Sequence, residues 1–139
     1  MLHMVSTCLG AATLLAMAAY PGLAAPGGTD PLAPYRWKAR VLVAVAPAAD
    51  NPQLLEQRRL FKTMGQAGQD RDLALLEGVG DESRARALRQ ALGLDDAGFY
   101  AVLIGKDGGA KLTSRHPLAA DQLFPVIDAM PIRQGEMKR

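Results

Sequence analysis

Residues 40–52 read RVLVAVAPAADNP. Arg40 to Ala46 is continuous, β-branched and apolar instead of alternating, the pattern of a strand covered on both faces. Pro47 ends it. Asp50-Asn51-Pro52 has the form of a helix start, an Asx N-cap followed by proline at the first helical position. The helix is predicted to run to about Ala67, because Leu54, Phe61 and Met64 share one face. Gly65 and Gly68 weaken its end. A buried strand that feeds directly into a helix opens a β-α-β unit, whose strands lie parallel and whose crossover is right-handed.

The flanking sequence supplies the rest of the sheet. Arg71 to Glu77 (RDLALLE) reads as the second strand. Asp81-Glu82-Ser83 opens a second helix, with acidic groups at its positive end and Ala85, Leu88, Ala91 and Leu92 as its buried stripe. Gly93 is placed to stop it, with Leu94 folding back on Leu88. Phe99 to Ile104 is a third strand, Gly105 to Gly109 a turn, and Ala110 to Ser114 a fourth strand, so the last two form a hairpin. A last helix is predicted from Ala119 to Met130, with Leu123, Ile127 and Met130 inward. Pro125 must lie in its first turn or kink it. The order is β-α-β-α-β-β-α. The hairpin must join the same sheet, because its apolar face needs cover. The expected fold is therefore α/β and thioredoxin-like: a four-stranded mixed sheet in the order 2-1-3-4 with helices on both faces.

Composition bounds the function. The 139 residues carry 16 Lys plus Arg against 14 Asp plus Glu, too balanced for a nucleic-acid groove. One Cys and two His exclude a disulfide framework and a four-ligand Cys/His zinc site within the chain. Residues 1–24 hold no Lys, Arg, Asp or Glu, and Cys8 to Tyr20 is an apolar run too short to span a bilayer but suited to a secretory signal. Cleavage after Ala24 would remove Cys8 and His3. The expected organisation is a signal peptide over 1–24, a flexible linker over 25–34, a thioredoxin-like domain over 35–133 and a polar tail over 134–139. The expected location is periplasmic or secreted, with no stable membrane insertion after cleavage.

In a thioredoxin-like fold, catalysis belongs to the turn from the first strand into the first helix, where the helix N-terminus lowers a thiol pKa. Here that turn is Pro47 to Pro52 and has no Cys, Ser or Thr. Thiol–disulfide exchange and peroxide reduction both require a thiolate. Ala97-Gly98 stands before the third strand, where active relatives usually carry a cis-proline.

Four stretches together resemble a domain-of-unknown-function family, number 4174. They are Tyr35-Arg36-Trp37-Lys38 running into RVLVAVAP, Arg71-Asp72-Leu73, Gly98-Phe99 with LIGKDGGAKL, and IDAMPIRQGEM at residues 127–137. Similar modules occur in secreted sushi-repeat-containing and coiled-coil-domain-containing proteins. The resemblance implies a peroxiredoxin-like, thioredoxin-folded domain in an extracytoplasmic setting. It implies no catalytic residue, cofactor or metal.

The candidate ligand-binding residues are Arg36, Trp37, Asp50, Asn51, Lys106, Asp107 and Arg115. Asp50-Asn51 could present helix N–H groups to an anion, or Asn51 could cap its own helix. Lys106-Asp107-Gly108-Gly109 could bind an ion, or be a turn whose glycines allow positive φ. Residues 35–40 alternate aromatics with cations. Core packing of Trp37 or Tyr35 beside a solvated basic edge is expected there, with a protein-partner surface as the other reading. Ser114-Arg115-His116, with Asp121 or Asp128, has triad residue types but no positioning motif. Asp128 and Arg133 could pair across Pro131. The leading expectation is an exported binding module, lacking catalytic cysteines, for a protein or cell-envelope component. Its patch is expected near Arg36, Trp37 and the C-terminal end of strand one. The alternative is a peroxiredoxin-like oxidoreductase, or another enzyme, using a non-thiol group in a cleft of Asp50, Asn51 and Lys106 or Arg115.

Overall fold

The computed structural model describes residues 30–139. The expected signal peptide and residues 25–29 of the expected linker lie outside the described residues. Four strands, β1 (Arg40–Ala46), β2 (Leu73–Val79), β3 (Tyr100–Ile104) and β4 (Ala110–Ser114), form one sheet in the order β2-β1-β3-β4. β1 is parallel to β2 and antiparallel to β3, and β3 is antiparallel to β4. The fold is thus the thioredoxin-like one.

Every residue of β1 is buried, as its unbroken apolar run requires, and its alternate residues serve two cores. Leu42, Ala44 and Ala46 pack with Leu54 and Met64 of α1 (Pro52–Gln69) and with Leu123 and Ile127 of α3 (Ala120–Asp128). Val41, Val43 and Val45 pack with Leu88 of α2 (Ser83–Leu92) and with Leu32 on the other face. Helices therefore cover both sides. α2 lies so close to β2 that a Cβ on Gly78 would stand 2.9 Å from the Ala85 Cα. Gly93 ends α2 in the left-handed region, with the Leu94 N–H donating to the Arg89 carbonyl at 2.9 Å.

Several boundaries differ from expectation. β2 starts at Leu73, two residues later than predicted, because Arg71 and Asp72 turn the chain out of α1. α1 runs to Gln69 but breaks at Gly65, whose φ of 51° and ψ of −132° are not helical. A shallow groove of about 220 Å³, lined by Phe61, Met64, Gly65 and Leu73, opens at the break. Pro125 is the sixth residue of α3, beyond its first turn. Order begins before Tyr35. Asp30 Oδ1 accepts the Leu32 N–H at 2.9 Å, Leu32 is buried, and Ala33–Tyr35 is a turn of 3₁₀ helix. Residues 30–34 are therefore part of the domain and not of a linker. The polar tail folds too: Pro131 starts α4 (Pro131–Met137), which polar contacts dock against the sheet end.

Candidate functional site

The turn from β1 into α1 is built to satisfy itself. The Asn51 N–H donates to the Ala48 carbonyl at 3.2 Å, and Pro52 has no N–H. The N–H groups of Gln53 and Leu54 both donate to Asn51 Oδ1, at 3.0 and 3.2 Å. The Leu55 N–H donates to the Asn51 carbonyl at 3.1 Å. No first-turn donor remains for an anion or a thiolate. Asp50 is exposed beside it and adds negative charge. Self-capping by Asn51 is thus what the structure contains.

The neighbouring loops are closed in the same way. Gln53 Nε2 donates to the Arg115 carbonyl at 2.9 Å. Arg115 pairs with Asp96 at 2.8 Å and lies 4.3 Å from the centre of the Tyr100 ring. The Arg115 guanidinium, helped by the Gly98 N–H, holds the Asp96 carboxyl below the usual carboxylate range. Arg89 donates to the carbonyls of Asp96, Ala97 and Gly98 at 2.6, 2.8 and 3.0 Å. Two arginines thus fix the loop before β3, and no described peptide bond is cis. The Ser114 hydroxyl is turned onto the backbone of exposed His116. Asp128 is held by Arg71 and Arg133, and the Ser114 hydroxyl meets the His116 backbone and not its ring, so with either Asp121 or Asp128 no triad assembles among the described residues.

The other candidates lie at the opposite end of β1, about 20 Å away at ~3.3 Å per residue. The seven predicted residues therefore split into Asp50, Asn51 and Arg115 at one pole, and Arg36, Trp37, Lys106 and Asp107 at the other. A cleft joining Asp50, Asn51 and Lys106 does not exist. Trp37 is near the N-terminal end of β1, not the C-terminal end where the binding patch was expected. Trp37 is 67% exposed, so the core-packing expectation fails for it, while Tyr35 is partly buried against the α2-side core. Residues 35–39 are a turn, in which the Lys38 and Ala39 N–H groups both donate to the Tyr35 carbonyl, so strand alternation does not apply. Trp37 has φ of +67° and donates its N–H to the Lys106 carbonyl at 2.6 Å. Arg36 pairs with Asp30 at 3.1 Å and crosses Gly108, where a Cβ would meet its Nε at 2.7 Å. Asp107 is occupied by the Gly109 N–H and Lys111, both at 2.9 Å, as a turn residue would be.

Beneath this turn lies a network of charges. Arg40, expected on a solvated edge, is 0% exposed. Its Nη1 donates to the Arg71 carbonyl at 2.8 Å and to Glu136 Oε2 at 3.2 Å, and its Nη2 donates to Glu136 Oε1 at 3.3 Å. Lys106 Nζ bonds Glu136 at 2.6 Å and Asp72 at 2.7 Å. Burial pushes the Glu136 carboxyl up, but Lys106 and Arg40 outweigh it and hold it below the carboxylate range. Burial likewise opposes the Lys106 charge, and Asp72 and Glu136 reverse the effect and raise it. Arg71 clamps Asp128 with two bonds, at 3.0 and 2.9 Å, and Arg133 adds a third at 3.3 Å. The Asp128–Arg133 pair thus forms as part of a larger cluster.

The family model described as Domain of unknown function (DUF4174) matches residues 31–136. The chain belongs to that family. No curated protein matches it. Among solved structures it is similar to the reduced 2-Cys peroxiredoxin of Plasmodium vivax, with a TM-score of 0.57 and 14% identity over 75% of this chain and 72% of that one. That likeness concerns the fold.

In this DUF4174 domain the charged network draws on the stretches that carry the family resemblance: Arg40, Arg71-Asp72, Lys106, and Asp128, Arg133 and Glu136. The sequence reading saw those stretches but not their convergence, which depends on tertiary pairing. It also missed Gln57, fully buried, whose amide donates to the Leu118 carbonyl at 2.9 Å and accepts the Leu118 N–H at 2.8 Å. The signal was present: Gln57 falls on the Leu54–Phe61 face of α1, where a polar side chain must find partners. Among the described residues no cluster of three His, Cys, Asp or Glu could hold a metal, and no helix is long and apolar enough to cross a membrane.

Proposed function

We propose that this domain is a non-redox binding module, exported from the cytoplasm, that engages a protein or envelope partner through the pole bearing Trp37. The observation that carries this reading is the self-satisfied α1 N-terminus. Its donors are consumed by Asn51 and the backbone, and no thiol or hydroxyl side chain stands in the turn. An enzyme that kept its chemistry there would need both. At the opposite pole an exposed indole is held in the left-handed backbone region, a costly arrangement for a bulky residue and one often found at functional surfaces. Tryptophan flanked by arginine is also the composition of an interface anchor. Export rests on the uncharged apolar residues 1–24.

Two measurements test the reading with the full chain. Envelope extract passed over immobilised protein is expected to leave a specific partner on the wild type and not on Trp37→Ala, with unchanged circular dichroism. Equal retention by both removes Trp37 from the interface. Peroxide and disulfide reduction are expected at background rate, in wild type and Cys8→Ser alike. Turnover that survives Cys8→Ser would establish the enzyme reading instead.

A further inference from the structure

α4 is attached in an unusual way. None of its residues is buried, and Ile132 and Met137 stand exposed on it. Its ties to the rest of the domain are polar: Glu136 to Arg40 and Lys106, Arg133 to Asp128 and the Asp70 carbonyl, Gln134 to the Asp128 carbonyl. Its N-cap, Met130, is buried in the α1-side core, but from Pro131 on the helix is held mainly by charge and hydrogen bonds, which an ion of the same kind can replace.

What it attaches to is more permanent. Arg40 starts the central strand and is tied to the Arg71 carbonyl independently of α4. Its Nε is buried with no partner among the described residues. Lys106, 12% exposed, is tied to Asp72 independently of α4. If Glu136 withdrew, two cations would remain at the sheet end with one carboxylate on Lys106 and none on Arg40. A guanidinium in that position demands an anion, and its fork matches an oxyanion with two oxygens.

We propose that Arg40 and Lys106 form an oxyanion-binding site, occupied here by the chain's own Glu136, which an external carboxylate or phosphate takes over by displacing α4. The site lies beneath the Trp37 turn, where the Trp37 N–H donates to the Lys106 carbonyl, and it stands whether or not the exposed indole binds a partner.

The test uses the full chain carrying Glu136→Ala, with inorganic phosphate and acetate as probes and chloride at equal ionic strength as reference. Thermal unfolding of the variant is expected to recover by roughly 5 °C at about ten times the dissociation constant. The recovery should saturate, and it should exceed the effect of the same salt on wild type and on Glu136→Ala/Lys106→Ala. Recovery in acetate assigns the site to carboxylates, and recovery in phosphate alone assigns it to phosphate. In wild type, the preferred anion is expected to speed hydrogen exchange of the amides of residues 132–137. Equal behaviour in all three salts overturns the proposal, as does unchanged exchange in wild type. If Glu136→Ala does not fold, Glu136→Gln takes its place under the same criteria.

Discussion

Arg40 is fully buried at the start of β1, a place a guanidinium holds only with a partner. In RWKAR it looks like one more surface cation, yet the three-dimensional partner of its guanidinium lies 96 residues away. Removing that partner should be costly: Glu136→Ala is expected to lower unfolding free energy by about 2–3 kcal/mol, short of the ~3–5 kcal/mol of a fully buried pair because the carboxylate is partly exposed. Chemical denaturation checks it. The pH dependence follows from the same contacts. Glu136 and Asp128 are held below their ordinary values of 4.5 and 3.8, so their contribution is present above those values and is lost as the pH falls through the lowered ones. Lys106 is raised above 10.5, so its contribution is present below that value and is lost as the pH rises beyond it. Hydrogen-exchange protection of α4 should therefore be flat between about pH 5 and 10 and fall outside that window. Trp37 makes the opposite point. Trp37→Gly should raise stability by up to ~1 kcal/mol through relief of its positive φ, while abolishing partner retention. A fall in stability would mean that the ring packs more than its exposure indicates.

At the scale of elements, the sequence was most readable where packing is continuous. RVLVAVA announced β1 to the residue, Asn51-Pro52 announced the start of α1, and the Gly105–Gly109 turn announced the hairpin. Asn51→Ala is accordingly expected to cost ~1 kcal/mol, since two N–H groups lose their acceptor. Gly78→Val should cost more, about 1–3 kcal/mol, because the new side chain would drive α2 off β2; thermal unfolding distinguishes the two. Legibility failed where an element has no apolar stripe. Residues 134–139 read as a polar tail because they carry no apolar stripe, and the structure folds residues 134–137 into α4 and holds it by charge. The proline and glycine content of residues 25–34 reads as a linker, yet within it the buried Leu32 brings residues 30–34 into the core. Strand alternation places Trp37 or Tyr35 in the core, but that rule does not reach into a turn, and only Tyr35 packs there.

On the scale of the whole molecule, β1 separates two poles with different chemistry. The candidate residues were found by type, but their division between the poles was invisible, since it depends on β3 running antiparallel to β1 and carrying Lys106 back to the start of the strand. One pole has the thioredoxin position without its reactive group, and the other has an exposed indole above a cluster of ions. The Arg40–Glu136 pair also has a bearing on biosynthesis. At translation speeds of about 5–20 residues per second, the carboxylate emerges roughly 5–20 s after the guanidinium it will neutralise, 96 residues upstream. During that interval the nascent sheet carries an unquenched cation at one end. Closure of this contact must therefore wait until α4 has been synthesised.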